Sequence, residues 1–300
     1  MEWTNDLKQY LTQKRERVEQ ALDRYLPTSD TYPPILHESM RYSVFAGGKR
    51  LRPIMVLMAA ELFGRSPESV VFAAAALEMI HTYSLIHDDL PAMDNDDLRR
   101  GLPTNHKKYG EDVAILAGDA LLTLAFQVMT DPQHLAECSA SAILQATHEL
   151  GLAAGAAGMV GGQIMDMQAE RRQISVSELE YIHTHKTGKL LTASLRIGAI
   201  LSEAEEESFV ALTTYGERVG LAFQIVDDIL DIEGNEEELG KTVQSDLQNH
   251  KATYPSRYGL AESKTLVEKL INDAKISLQI FGEGAKYFSL LADFIMSRTH

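Results

Sequence analysis

An apolar, alanine-rich run that leads into a cluster of aspartates constrains this chain most. The run covers Val70–Ile80, and the segment 85–101 that follows reads LIHDDLPAMDNDDLRRG. The run predicts a buried helix, and Pro91 ends or kinks it, so Asp88 and Asp89 lie in its last turn. Carboxylates are unfavourable there, because the C-terminal end of a helix carries partial negative charge. Two such residues in succession indicate that a cation is supplied from outside the chain.

A second acidic cluster lies further along the chain, at 223–234, with the sequence FQIVDDILDIEG. Asp227 and Asp231 are four residues apart and share one face of a helix, with Asp228 beside them. Gly234 is typical of a helix end, which again places acids near a C-terminus. Two such clusters are suited to face each other across a cavity and to hold several Mg²⁺ ions between them. Mg²⁺ uses few protein carboxylates together with waters and substrate phosphates, so we predict a phosphorylated ligand.

Composition and periodicity favour an all-helical protein of one domain, residues 1–300. Long periodic segments occur without alternating β-branched runs, and no low-complexity linker interrupts them. The net charge of −15 makes nucleic acid an unfavourable partner, and a diphosphate then needs local cations or metal bridges. The single cysteine, Cys138, excludes an internal disulfide framework and fits a reducing compartment, so we expect a cytoplasmic protein. The charged N-terminus is not a signal peptide, and no run of eighteen apolar residues predicts a membrane anchor.

The order of the motifs resembles that of the trans-isoprenyl diphosphate synthases. The first acidic motif is DDxxxxD followed by RRG, and the second is DDxxD. Five further motifs agree in order: GGKRLRP at 47–53, PTNHK at 103–107, GGQIMD at 161–166, HKTGK at 185–189 and GKTVQSD at 240–246. The resemblance covers roughly Tyr42 to Tyr254, and the long first motif is similar to the bacterial farnesyl diphosphate synthase type. It implies an antiparallel helical bundle around a deep central cavity, the terpenoid synthase fold, working as a homodimer.

The resemblance also implies roles for individual residues in a head-to-tail condensation of isopentenyl diphosphate with an allylic diphosphate. Three Mg²⁺ ions would be bridged by Asp88, Asp94, Asp227 and Asp231, with Asp89 and Asp228 in support. Isopentenyl diphosphate would be bound by Lys49, Arg52, His81 and Arg100. The allylic diphosphate would be bound by Arg99, Lys186, Thr187, Lys241 and Lys251, and Gln224 would reach the same cavity. Lys186 and Thr187 are expected at the reacting centre as well. Leu102 departs from the family pattern, which commonly has a basic residue at that position.

Tyr83 and Ser84 are predicted to control product length. They precede Asp88 by five and four residues, so on a continuous helix they lie about one turn deeper than the metals. In the family, an aromatic residue there with a small polar neighbour is similar to enzymes that make the C15 product, farnesyl diphosphate. Synthases of the C20 or C10 diphosphate are the alternatives.

Other classes of protein fit less well. A terpene cyclase would need a different second metal motif, and it has no use for the second diphosphate site at Lys49 and Arg52. An acidic Ca²⁺-binding helical protein is disfavoured, because DNDD at 94–97 lacks the alternating acids, central Gly and terminal Glu of an EF-hand loop. A catalytically inactive partner subunit would not be expected to keep both aspartate motifs.

Overall fold

The computed structural model describes residues 5–169, 173–233 and 253–297. The predicted motif 240–246 with Lys241, and also Lys251, lie outside the described residues. The first half of the chain forms α1 (Asn5–Tyr25), α2 (Pro34–Val44), α3 (Leu51–Leu62), α4 (Val71–Asp88), α5 (Asn105–Tyr109), α6 (Glu111–Met129) and α7 (Ala140–Ala154). The second half forms α8 (Met159–Ala169), α9 (Val176–Ile182), α10 (Lys189–Leu201), α11 (Glu206–Glu233), α12 (Tyr254–Tyr258), α13 (Leu260–Ser277) and α14 (Lys286–Ser297).

Short elements connect the helices. Three 3₁₀ turns cover Pro67–Ser69, Pro132–Ala136 and Gln279–Ala285. Strands β1 (Leu98–Arg99) and β2 (Leu102–Pro103) pair antiparallel in a hairpin directly after the first acidic motif. The all-α architecture that the periodicity predicted is therefore confirmed, with one small hairpin added. The helices pack side by side as the bundle that the resemblance implies.

Two helices, α3 and α10, lie at the centre of the bundle. Each contributes buried apolar side chains to two hydrophobic clusters, one shared with α4, α6 and α7 and the other with α11, α13 and α14. On α3, for example, Leu57 belongs to the first cluster and Met58 to the second, and both are at most 1% exposed. Because the core surrounds α3 and α10, the ends of α3, α4 and α11 are held rigidly relative to one another.

One segment, Glu111–Ala136, is long and apolar enough to cross a membrane, judged by length and composition alone and among the described residues. It comprises α6 and the 3₁₀ turn after it. One side of α6 is completely buried in the first hydrophobic cluster through Ala114, Ala117, Leu121 and Ala125. A core helix passes the same test of length and composition, so the segment is weak evidence for a membrane span.

The helical segment that carries the HKTGK motif is divided in the structure. Helix α9 ends at Ile182, a π-helical turn covers His183–Gly188, and α10 begins at Lys189. The wider π turn changes the direction of the side chains of Lys186 and Thr187 relative to a continuous α-helix. Single π turns of this kind occur frequently at functional sites.

Candidate active site

A cavity of about 300 Å³ lies beside the C-terminal half of α4. Its polar lining includes Arg52, His81, Asp88, Lys186 and Thr187, which come from α3, α4 and the π turn. Its remaining lining is largely apolar and includes Tyr83, Met93, Met159, Val160, Ile164 and Met167. A cavity with a charged part and an apolar part fits a ligand with an anionic group and a hydrocarbon chain. A larger groove of about 790 Å³ between α7, α10 and α11 contains none of the predicted site residues.

The first acidic motif turns back on itself after α4 ends. Asp88 is the last residue of the helix, as predicted, and Asp89 is its C-cap. The backbone N–H of Asp94 donates to the carbonyl oxygen of Asp88 at 2.9 Å, which brings the first and last aspartates of the motif together. Asp89 instead binds Arg99, whose Nε lies 2.8 and 2.9 Å from its two carboxylate oxygens. Asp88 and Asp94 are therefore joined through the backbone, whereas the carboxylate of Asp89 is occupied by Arg99.

The surroundings of Asp88 destabilise the negative charge of its carboxylate. Burial raises the pKa of its carboxyl group to about 6, and the carboxylates of Asp94 and Asp89 act in the same direction. Lys186 and Arg99 oppose this rise without cancelling it. A buried carboxylate with a raised pKa gains free energy when a cation approaches it. This supports the cation site that the sequence predicts at the end of α4.

The second acidic motif lies on the last turns of α11, and its three aspartates differ in environment. Asp228 and Asp231 are 3% and 2% exposed. Asp228 accepts a hydrogen bond from the backbone N–H of Tyr254 at 3.0 Å and contacts Nε2 of Gln224 at 3.4 Å. Asp227 is only partly buried, and its charge raises the pKa of Arg52 against the effect of burial. Asp228 thus joins α11 to α12, whereas Asp227 is near enough to the cavity for its charge to act on Arg52.

Lys186 and Thr187 connect the two acidic motifs. Thr187 Oγ1 donates to Gln224 Oε1 on α11 at 2.9 Å. Lys186 Nζ lies 2.5 Å from Asp166 Oδ2 on α8. Burial lowers the pKa of Lys186, but the carboxylates of Asp166 and Asp88 outweigh it, so the pKa is raised and the ammonium is charged. A Cβ on Gly162 would clash with the backbone of Lys186, so the first helical turns of α8 can approach the π turn only with glycine there.

The residues predicted for isopentenyl diphosphate do not all reach one cavity. Arg52 Nη1 lies 3.4 Å from His81 Nε2, and both line the 300 Å³ cavity. Burial, together with the charges of Arg52 and Arg100, lowers the pKa of His81 well below 6.5. Lys49 instead lines a separate groove with Lys8 and Arg15 of α1. The prediction grouped Lys49 with Arg52, and the structure places these two side chains on different cavities.

The donor set fits Mg²⁺. Within residues 5–169, 173–233 and 253–297, no three His, Cys, Asp or Glu side chains form a ready-made metal cluster. Mg²⁺ does not require one, because it keeps several waters and binds through one or two carboxylates plus substrate phosphates. Asp88, Asp94 and Asp227 are the carboxylates that would hold it. A substrate diphosphate would complete the coordination between the two motifs.

Comparison with known proteins agrees with this site. The profile of the polyprenyl synthetase family matches residues 33–280. The chain is 49% identical over 300 residues to a dimethylallyltranstransferase of Fischerella ambigua, covering 100% of this chain and 86% of the relative. It is 47% identical over 298 residues to the farnesyl diphosphate synthase of Bacillus subtilis, covering 99% and 100%. The solved apo structure of an FPP/GFPP synthase from Zymomonas mobilis superposes with a TM-score of 0.87 at 35% identity, covering 97% and 99%.

The fold, together with these relatives, defines the class as a helical prenyltransferase. The chain belongs to the polyprenyl synthetase family. It is accordingly a prenyltransferase of isoprenoid biosynthesis, in a class for which dependence on Mg²⁺ is standard.

Some residues at the site were not predicted from the sequence. Asp166 ends the GGQIMD motif and had no assigned role, and the structure pairs it directly with Lys186. Arg50 and Glu78 were not singled out, although Arg50 lies within the GGKRLRP motif. A charged residue within the apolar run of α4 was the available signal for Glu78, since buried Glu is rare unless it is paired.

Proposed function

We propose that this enzyme condenses isopentenyl diphosphate head-to-tail with dimethylallyl diphosphate and then geranyl diphosphate, and that farnesyl diphosphate is its main product. One observation supports this most: the same cavity is lined by the cations Arg52 and Lys186, by the carboxylate of Asp88, and by Tyr83 with other apolar side chains. A geranylgeranyl or geranyl diphosphate synthase would use the same charged groups. Only the apolar part would differ.

The allylic diphosphate is assigned to the acidic motifs and the π turn. Asp88, Asp94, Asp227 and Asp231 are proposed to hold three Mg²⁺ ions, which supply Lewis-acid stabilisation of the leaving diphosphate when bound. Lys186 and Thr187 contribute an ammonium and a hydroxyl on the same side of the cavity. Their partners Asp166 and Gln224 fix both side chains before substrate arrives. Arg99 remains a proposed ligand of this diphosphate, although Asp89 holds it here. Lys241 and Lys251 remain proposals from the sequence.

Isopentenyl diphosphate is assigned to Arg52, His81 and Arg100. Burial depresses the pKa of both Arg52 and Arg100, which indicates basic groups that lack full compensation by nearby carboxylates. An incoming diphosphate would supply that compensation. Lys49 is proposed to reach this diphosphate only by turning from the groove that it lines here.

The reaction then follows from these positions. The allylic C–O bond breaks and the diphosphate leaves with the electron pair. The terminal carbon of the isopentenyl double bond attacks the allylic cation, which leaves the positive charge on the methyl-bearing carbon. The CH₂ group on the other side of that carbon then loses a proton, and the electrons of its C–H bond form the new double bond. Among the described residues that line the cavity, Asp88 is the only carboxylate and is assigned to Mg²⁺, so the departing diphosphate is the proposed base. The side chains bind the two substrates, orient them toward each other and exclude water from the cation.

We also propose that residues 1–300 form one domain and that two copies form a cytoplasmic homodimer. Apolar side chains on the outer faces of α6 and α7 support an interface, since Leu116 is 59% exposed and Leu144 is 71% exposed. Light scattering after gel filtration should give twice the mass of 33.3 kDa. Leu116→Glu should shift that mass toward the monomer, and a monomeric wild-type protein would contradict the proposal.

Incubation with radiolabelled isopentenyl diphosphate and each allylic diphosphate tests the function directly. Labelled C15 product, formed only with Mg²⁺ and abolished by chelator, is expected. A cyclic hydrocarbon from farnesyl diphosphate alone would indicate a cyclase instead. No incorporation of label with any allylic partner would contradict prenyl transfer.

A further inference from the structure

A buried ion pair lies beneath the proposed isopentenyl diphosphate site. Glu78 of α4 and Arg50, the N-cap of α3, are 2% and 3% exposed, and Arg50 Nη1 lies 2.7 Å from Glu78 Oε1. Arg50 Nε also donates to Glu19 Oε1 of α1 at 2.8 Å, and Nη2 donates to the carbonyl oxygen of Val44. Arg50 therefore joins α1, α2 and α4 to the start of α3 through one guanidinium group.

Arg50 has a backbone conformation that is unfavourable without such contacts. Its φ is +51°, in the left-handed region that non-glycine residues rarely adopt. Such a conformation persists where surrounding structure determines it, and such residues cluster at functional sites. In this protein the three hydrogen-bond partners of Arg50 hold the residue in this conformation. Arg52 follows two residues later in the first turn of α3, so its direction depends on the position of Arg50.

The same loop is fixed from its other side by Arg100. Its Nη1 donates to the carbonyl oxygen of Gly47, and a Cβ at Gly48 would lie 2.6 Å from Arg100 Cζ. The guanidinium group therefore lies flat against a loop that only glycine allows it to approach. Arg50, Arg52 and Arg100 together bring three positive charges to one region of the protein.

Glu78 is the buried carboxylate that these three cations share. Burial lowers the pKa of Arg52 and of Arg100, and in each case Glu78 is the strongest opposing charge. Burial also lowers the pKa of Arg50, but Glu78 and Glu19 outweigh it and the pKa is raised. His81, three residues after Glu78 on the same face of α4, contacts Arg52. Glu78 thus lies behind the groups assigned to the diphosphate.

We propose that Glu78 and Arg50 are positioning residues for isopentenyl diphosphate: their buried pair holds the α2–α3 loop and the first turn of α3 so that Arg52 and Arg100 face the ligand. This inference rests on the proposed assignment of Arg52 and Arg100 to that substrate. Replacing a buried ion pair by apolar residues is often neutral or stabilising, so the pair itself is weak evidence for a role in stability. Its contacts with the α2–α3 loop instead support a role in fixing the positions of Arg52 and Arg100.

The test compares Michaelis constants for the two substrates. Glu78→Gln keeps the shape and removes the charge. It should raise the KM for isopentenyl diphosphate about tenfold, the effect of one charge-assisted hydrogen bond, and the KM for dimethylallyl diphosphate less than about threefold. Glu19→Gln, whose carboxylate is 34% exposed, should act in the same direction by about two- to tenfold. Glu68→Gln is the matched control, because Glu68 forms an exposed pair with Arg17 far from the cavity.

The outcomes separate this inference from the assignment on which it rests. Arg52→Ala should raise the KM for isopentenyl diphosphate selectively. If it does so while Glu78→Gln and Glu19→Gln change both KM values equally or not at all, the positioning role is wrong and the site assignment stands. If Arg52→Ala shows no selectivity, the assignment fails and the inference fails with it. Circular dichroism reports folding, and if Glu78→Gln does not fold, Glu19→Gln decides by the same criterion.

Discussion

Lys186 on the π turn and Asp166 on α8 form an ion pair with Nζ and Oδ2 2.5 Å apart, both mostly buried. The pair joins two motifs that are twenty residues apart in the chain, GGQIMD and HKTGK. It holds the ammonium beside the end of α4, where the charge of Lys186 also acts on Asp88. The position of this cation therefore depends on a carboxylate that has no assigned contact with substrate.

Asp166→Asn should release Lys186 without removing it. We expect kcat/KM for the allylic substrate to fall about tenfold, because one charge-assisted contact that orients the ammonium is lost. The KM for isopentenyl diphosphate should change much less. Steady-state kinetics with each substrate varied in turn measure both effects. Asp293→Asn is a matched control, since Asp293 pairs with Lys275 at 2.8 Å on a more exposed surface. Unchanged allylic kinetics in Asp166→Asn would show that Lys186 is held by other groups.

Asp88→Ala and Asp227→Ala should each lower kcat by about 10²–10³, the cost of losing one preorganised electrostatic group. Each substitution removes a carboxylate proposed to bind Mg²⁺. Stability should be largely preserved, and Asp88→Ala relieves the burial that raises the pKa of Asp88 to about 6. Initial rates at saturating Mg²⁺ and thermal unfolding of the same samples give both quantities. Asp23→Ala is the control, because the side chain of Asp23 is 65% exposed and pairs with Arg41 at the surface. Near-normal turnover in either variant would contradict a site built from two acidic motifs.

The sequence predicted the helices well because each has its own periodic pattern. It placed Asp88 in the last turn of α4 correctly, from an apolar run and one proline. Contacts between distant elements carry no comparable local signal, so the pairs Asp166–Lys186 and Arg50–Glu78 were not predicted. In the GGKRLRP motif, the short spacing between Lys49 and Arg52 wrongly indicates that their side chains share one site. Positive φ values at Gly47, Gly48 and Arg50 redirect the chain, and Lys49 and Arg52 reach different cavities.

The stability of the fold should depend on His134. This residue is buried, its ring stacks on Phe72 with centroids 3.8 Å apart, and Nε2 lies 2.9 Å from the carbonyl oxygen of Val128. Burial lowers its pKa below 6.5, so as the pH falls the unfolded chain binds a proton before the folded one does. The stability that this group contributes is thus present above about pH 6.5 and is lost as the pH falls further.

His134→Gln keeps a side-chain donor for Val128 but cannot titrate. Its free energy of unfolding should be lower than that of the wild type, because the stacked ring is lost. The difference between the two proteins should be smaller at about pH 5.5 than at about pH 7.5. Urea unfolding at both pH values measures this. A constant difference would show that folding leaves the pKa of His134 unchanged, and a difference that grows on acidification would show that folding raises it; either result contradicts the prediction.

Product length should depend on Tyr83. Its side chain lines the cavity together with Ser84 and is 7% exposed, and its ring meets the ring of His87 edge to face at 5.7 Å between centroids. On α4 it lies five residues before Asp88, roughly 7.5 Å along the helix axis, and helical side chains point back toward the N-terminus. Burial and the charge of Asp88 raise the pKa of the phenol. We expect a prenyl chain that grows from the acidic motifs into this cavity to meet the ring of Tyr83.

Tyr83→Ala should remove that barrier and shift the products from C15 to C20 or longer, while the Mg²⁺ requirement stays the same. The space comes from deleting a large buried ring, so some loss of stability is expected as well, about 3–5 kcal/mol by analogy with Phe→Ala. Chromatography of the dephosphorylated products gives the chain lengths. Tyr32→Ala, at a side chain that is 89% exposed, is the control and should leave the products at C15. Both substitutions delete a phenol ring, but only the ring of Tyr83 lines the cavity, so the comparison isolates the effect of its position. An unchanged C15 product in Tyr83→Ala would assign chain-length control to other residues of the lining.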